Sequence, residues 1–276
     1  MSTEIPGTEQ PDLTTMSLAV EGDVGTLTLE RPDELNAMSP EMIAELAAIA
    51  PWLADRATIR ALVVTGSGRA FSAGGDVTWF RRGLEDPDAD LVASVRRGAD
   101  VLHQAIVDFK RIPYPVIAAI NGPAAGAGFS LALMCDIRIA SEAAFFACAY
   151  GRIGASPDGG MTYFLPRVIG PGAAAELMLE DPNLTAADAL ERGLVSEVVP
   201  ADELLSTAAA KAAELAAKSP HYQRMVKTLV WQSLDNSLAD HLQLERHGIA
   251  DSMGTEDLKR AVPAFFAGEQ PVFDGR

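Results

Sequence analysis

Two glycine-rich stretches and one aspartate are the places where this sequence could do chemistry. Residues 122–128 read Gly-Pro-Ala-Ala-Gly-Ala-Gly and follow the short apolar run Pro115 to Ile120, which is bounded by Asn121-Gly122 and reads as a buried strand ending in a turn. Phe129 to Cys135 then suits a buried helix. A strand, a glycine-rich turn and a helix in that order aim the first free amides of the helix, at about residues 126–128, at whatever lies above them. Such donors suit an anion, or a carbonyl oxygen that becomes one, and small side chains keep the backbone reachable. The same residues also suit a helix packed tightly on a strand, and both readings stand at this level. A second loop of the same kind, Gly66 to Asp76, follows the apolar run Ala61 to Thr65 and leads into a helical segment near Trp79. Two such junctions can supply a pair of amide donors from separate places.

Asp158 is the carboxylate to single out. It lies in the turn-rich loop Tyr150 to Thr162, just ahead of Gly159-Gly160. One reading makes it the N-cap of the next helix, a role in which Asp is a leading residue. The other makes it a base, its proton affinity raised by a desolvating pocket. Asp76 and Asp136, which follow the two glycine loops, read as structural groups that bond backbone or pair with Arg69 and Arg138. The histidines, His103, His221, His241 and His247, fall in helices of the surface or of the C-terminal lobe, with no nucleophile beside them. Ser72 and Ser130 lack the Gly-x-Ser-x-Gly surround of an acyl-enzyme nucleophile. There is no P-loop and no zinc-type spacing, so no metal is expected. Gly126-Ala127-Gly128 lacks the third glycine of a dinucleotide fingerprint.

The elements that must hold these groups follow from pattern. Met16 to Glu21 and Gly25 to Glu30 alternate around Gly22-Asp23 as a hairpin. Ser39-Pro40-Glu41 starts a helix that runs to about Ala54, and Leu91 to Lys110 is a long amphipathic one. Short strands are expected at Ile137 to Ala140, Phe145 to Ala149 and Val195 to Val199, and helices at Gly172 to Leu179 and Thr185 to Arg192. The expected division is a disordered tail over 1–15, a core over 16–200 and a separate helical lobe over 201–276. Trp79, Phe80, Tyr150 and Met161 are the expected pocket walls.

Composition narrows the partners. A chain of 276 residues with a formal net charge of −16 lacks the basic face that nucleic acid demands. Any anionic ligand must be held locally, against an unfavourable overall field. No apolar stretch reaches the roughly 18 residues of a membrane span, and Met1 to Thr15 has no apolar segment of a signal peptide. Cys135 and Cys148 sit in apolar runs and read as reduced core residues, which favours the cytosol.

Several motifs, taken together, resemble a known family. They are Arg31-Pro32-x-x-Leu35-Asn36-Ala37, Val64-Thr65-Gly66 with Phe71-Ser72-Ala73-Gly74-Gly75-Asp76, Pro115 to Gly122, Leu131 to Ala140, Leu165-Pro166-Arg167-Val168-Ile169-Gly170, and Ala186-Ala187-Asp188-Ala189-x-x-x-Gly193-Leu194-Val195. In order and spacing, from about Leu18 to Phe273, they resemble the enoyl-CoA hydratase/isomerase (crotonase) superfamily. The resemblance implies an α/β fold, a spiral of ββα units closed by a C-terminal helical lobe, with copies assembled as homotrimers or hexamers. It also implies a coenzyme A thioester substrate and no separate cofactor, coenzyme A being part of the substrate. By the same resemblance the amides of Gly75 and Ala127 hold the thioester oxygen. Asn36, Ala37, Ala73, Gly74, Asp76, Gly126, Ser130, Tyr150 and Phe265 fall at substrate- or CoA-binding positions.

The departures from the family pattern bear on the reaction. Hydratases of the family use two glutamates to place water across a 2,3 double bond, and the matching positions here are Ser130 and Tyr150. Neither hydroxyl type is a useful base near neutral pH. Ala125-Gly126-Ala127-Gly128 and Ile153-Gly154-x-x-Pro157-Asp158-Gly159-Gly160 instead resemble the branch with the phenylacetate-pathway ring-epoxide isomerase, which also shifts 3-enoyl to 2-enoyl double bonds. In that branch the aspartate matching Asp158 is the acid/base. One carboxylate suffices, since it can take a proton from one carbon and return it at another. Isomerisation of an acyl-CoA thioester is therefore expected. Hydration by Asp158 and a non-catalytic acyl-CoA-binding subunit are the alternatives. Near the C-terminus, Ala264-Phe265-Phe266-Ala267-Gly268 stands where many members carry a lysine for the CoA phosphates, which leaves Arg69 or Lys227 to compensate.

Overall fold

Strands buried on both faces read as unbroken apolar runs, and the two such runs of this sequence form the centre of the sheet. The computed structural model describes residues 9–275. In chain order its elements are β1 (Met16–Glu21), β2 (Val24–Leu29), α1 (Pro40–Ala54), β3 (Ala61–Gly66), α2 (Val77–Glu85), α3 (Leu91–Lys110), β4 (Val116–Ile120), β5 (Ala124–Ala125), α4 (Ala127–Met134), β6 (Ile137–Ser141) and β7 (Phe145–Ala147). The chain continues through α5 (Met161–Ile169), α6 (Pro171–Glu180), β8 (Leu184–Thr185), α7 (Ala186–Glu191), β9 (Glu197–Val199), α8 (Leu204–Ala216), α9 (Pro220–Gln232), α10 (Leu238–Gly254) and α11 (Glu256–Ala267).

One sheet has the order β1-β2-β3-β4-β6-β9, antiparallel only at the β1–β2 hairpin, and a second has the order β5-β7-β8. Single parallel bridges, Met38 with Gly75 and Ser72 with Ala124, extend the second layer toward the first glycine loop. Alternation along β3 and β4 divides the core. Leu62, Val64, Val116, Ala118 and Ile120 face the main cluster with α1, α3 and α4, whereas Ala61, Val63, Ile117 and Ala119 face α8.

Local signals place the helix starts. Ser39 caps α1 through the Met42 amide, with Pro40 in the first turn. Thr185 and Asp188 form a capping box on α7.

Two boundaries differ from the sequence reading. Thr14 and Thr15 both bond the Glu45 carboxylate on α1, and Leu13 packs on the core, so the anchored chain begins ahead of residue 16; residues 1–8 of the expected tail lie outside the described residues. The expected lobe over 201–276 also loses its first helix, because Leu204, Ala208, Ala212 and Ala216 of α8 are buried on the sheet. Such short side chains let that helix approach closely.

Candidate active site

Gly74 and Gly128 are where the two glycine loops meet. A Cβ on Gly128 would lie 2.2 Å from the Ser72 carbonyl oxygen. One on Gly74, at φ +96°, would lie 2.7 Å from the Ala125 carbonyl oxygen and 3.2 Å from the Ala127 amide nitrogen. No side chain fits at such separations, so glycine here lets loop press on loop. Ser72 fastens the contact: its carbonyl accepts the Ala125 amide at 3.0 Å and its hydroxyl donates to the Asn36 carbonyl at 2.8 Å. Gly75 is different, since its nearest neighbour is the edge of the Phe80 ring at 3.5 Å. Tight packing thus explains Gly74 and Gly128, and an open backbone explains Gly75. Gly75 and Ala127 are half-buried, and among the described residues neither amide donates to a backbone carbonyl. Ala127 opens α4, where first-turn amides lack intrahelical partners, and no side chain caps that helix.

Asp158 lies against this junction. The next residue, Gly159, is buried, with its Cβ direction 3.8 Å from the Ala127 Cα and 3.1 Å from the Ser130 Cβ. The Asp158 carbonyl accepts the Tyr150 hydroxyl at 2.8 Å, the Ser130 hydroxyl at 3.0 Å and the Met161 amide at 3.2 Å. Burial pushes the Tyr150 phenol up to about 12, so it remains protonated as a donor. The positions where the family resemblance puts two glutamates therefore hold the backbone of Asp158. Its side chain does not cap α5, whose N-cap is Gly160 in the left-handed region. Instead Oδ1 lies 2.5 Å from Nε2 of His103 on α3, with the carboxyl side chain 40% exposed. The sequence reading finds no nucleophile beside any histidine, and it misses this carboxylate beside His103. His103 and Asp158 are 55 residues apart and meet only through the fold. The available signal was position: His103 follows buried Leu102 and stands one turn before Ile106, at the margin of the apolar stripe.

Other expected site residues serve the scaffold. Asn36 is fully buried; its amide donates to the carbonyls of Ser67 and Ala70 and its Oδ1 accepts the Arg31 amide, so its side chain meets the protein rather than CoA. The Ala73 amide donates to Leu35, and the Ala37 carbonyl accepts the Arg31 guanidinium. Asp76 caps α2 through the amides of Thr78 and Trp79 and pairs with Arg31 at 3.2 Å, not with Arg69. Asp136 pairs with Lys227 at 2.6 Å and Lys110 at 3.3 Å, not with Arg138, whose guanidinium donates to the carbonyls of Leu194 and Cys135. Lys227, 11% exposed and also donating to the Tyr114 carbonyl, is thereby committed and does not replace the missing phosphate-binding lysine. Arg69 is exposed. Met161 belongs to the core rather than to a pocket wall. Phe265 lies on α11, 79% exposed and edge-on to Phe266, with neither ring lining the cavities described below.

Two cavities flank the Asp158 loop. A slot of about 10 Å3, lined by Ala127 and Gly159 together with apolar side chains such as Met38, Leu102, Ile106 and Phe109, sits behind the glycine junction. A larger cavity of about 640 Å3 is lined by His103, Ile106 and Gly160 with Tyr163, Phe164 and Trp231. Among the described residues, no helix is long and apolar enough to cross a membrane.

The Enoyl-CoA hydratase/isomerase family model matches residues 19–276. The chain belongs to that family. Within it, the sequence is 38% identical over 257 residues to the 1,2-epoxyphenylacetyl-CoA isomerase of Escherichia coli K12, covering 93% of this chain and 97% of the relative. An enoyl-CoA hydratase from Bacillus anthracis superposes with a TM-score of 0.88 at 30% identity, over 95% of this chain and all of that one. A solved structure from Thermobifida fusca YX in complex with CoA superposes with a TM-score of 0.81 at 32% identity, covering 90% and 98%. The expected crotonase fold is therefore found, and the protein is an enzyme-family member built for acyl-CoA.

Proposed function

We propose that this member of the family isomerises an acyl-CoA thioester, shifting a 3-enoyl to a 2-enoyl double bond. The thioester oxygen sits between the amides of Gly75 and Ala127. Asp158 breaks the C2–H bond, the electron pair moves into an enolate whose oxygen those amides hold, and the double bond shifts from C3–C4 to C2–C3 as the proton is returned at C4. Fixed amides cost no reorganisation when the charge appears and contribute roughly 3–4 kcal/mol each. The observation that carries the reading is the hold on Asp158: Tyr150 and Ser130, in place of two carboxylates, bond its carbonyl and leave its carboxyl facing His103 and open space.

Hydration is the second reading, supported by the His103–Asp158 pair, which can orient a water molecule as well as a substrate carbon. A screen of 2-enoyl-, 3-enoyl- and aromatic acyl-CoA thioesters with wild type and Asp158→Asn decides among the readings. Conjugation gained from a 3-enoyl-CoA, and lost in the variant, supports isomerisation. Conjugation lost from a 2-enoyl-CoA supports hydration, and CoA binding without turnover supports a binding subunit. Exposed apolar side chains on the C-terminal helices, including Val230, Leu238, Ile249 and Phe266, support assembly of copies into a homotrimer or hexamer, read out by light scattering. The buried free thiols of Cys135 and Cys148 support a cytosolic setting.

A further inference from the structure

Among the described residues, His103 is the one polar group bonded to the Asp158 carboxyl, and the reaction above leaves it without a task. Its Nε2 lies 2.5 Å from Oδ1, its side chain is 54% exposed, and among the described residues its Nδ1 has no hydrogen-bond partner. One ring nitrogen therefore meets the carboxylate while the other is not engaged by the protein. The charged neighbours do not compete for the ring. Of the cations lining the same cavity, Lys110 and Lys227 are held on Asp136, Arg111 on Asp108, and Arg224 beside the ring of His221. Tyr163 lies against Arg167 and Asp235, and Asp100 stands one turn back on α3. Asp158 is the one carboxylate bonded to His103 among the described residues.

We propose that His103 positions the Asp158 carboxylate and exchanges the proton it carries with solvent. The idea rests on the isomerase reading for the origin of that proton. Once Asp158 has taken hydrogen from C2, the carboxylic acid passes a proton to Nε2, giving carboxylate and imidazolium. Nδ1–H releases a proton to water, and protonation from water followed by transfer through Nε2 restores the acid that delivers hydrogen to C4. Without His103 the half-exposed carboxyl can exchange only directly with water, and more of the abstracted hydrogen is carried from C2 to C4 within one molecule.

Solvent isotope content tests this. In D2O, full-length wild type acting on a 3-enoyl-CoA should place deuterium at C4. His103→Gln should lower that deuterium content several-fold and reduce kcat with little change in KM, the split expected of a group acting on the chemical step. Equal deuterium content in the two proteins would overturn the proposal. A second measurement needs no turnover: the NMR signals of the His103 ring, assigned by their loss in His103→Gln, should change position in Asp158→Asn as the carboxylate 2.5 Å from Nε2 is replaced by an amide. Unmoved ring signals overturn the pairing even if no 3-enoyl-CoA is converted, so failure here is distinguishable from failure of the isomerase reading.

Discussion

Asp136 and Asp158 both follow the central glycine loop, and the fold treats them in opposite ways. Asp136, at the foot of α4, receives two ammonium groups and the Val116 amide at 2.9 Å, so its carboxylate is saturated. Burial opposes its charge, but Lys227 and Lys110 hold it below the ordinary carboxylate range. At Asp158 the protein bonds heavily to the carbonyl and leaves the carboxylate a single partner, half in the open. Under the proposed function, the carboxylate that works is fixed through its backbone, while the one that stabilises is fixed through its charge.

Separating the two roles by mutation is the sharpest way to break this comparison. Asp158→Asn should lower turnover by about 10²–10⁴, the usual range for a proton-transfer group, and shift urea stability by only about 0.5 kcal/mol. Asp136→Asn should do the reverse. Leaving two buried ammonium groups without their anion should cost about 3–5 kcal/mol in urea unfolding, with turnover per folded molecule retained. Should both variants lose activity alike, or both lose stability alike, the contrast fails.

Smaller effects sharpen it. Tyr150→Phe removes the 2.8 Å hold on the Asp158 carbonyl and should reduce kcat about tenfold while sparing CoA affinity. Acid titration should give the smallest signal. Because folding lowers the pKa of Asp136, its stabilisation is complete above the unfolded-state value near 3.9 and is lost as pH falls through the lower folded-state value. The stability gap between wild type and Asp136→Asn should therefore stay level above about pH 5 and narrow below about pH 4.

What was legible in the sequence was whatever local chemistry encodes. Ser39-Pro40 marked the start of α1, the apolar runs at 61 and 115 marked buried parallel strands, and the small residues at 74 and 126–128 marked the loop junction. Partners chosen by tertiary approach were not legible. Lys227 reaches Asp136 across 91 positions that carry no trace of the pairing, and the nearby Arg138 offered a misleading choice, as Arg69 did for Asp76. Asp76 had the composition of a cap but was overshadowed by the glycines before it. The row Leu204, Ala208, Ala212, Ala216 suits a helix lying flush on a sheet, its buried face being almost all alanine, a signal that the expectation of one separate lobe over 201–276 passes over.

The empty Cβ position at Gly128 has a mechanical consequence. With the Ser72 carbonyl filling that space, two segments more than fifty residues apart in sequence behave as a single stiff hinge plate, clamped without any covalent bond. Because Gly74 and Gly128 are each pressed against the facing loop, the spacing of Gly75 and Ala127, their chain neighbours, is fixed by backbone packed on backbone rather than by side chains.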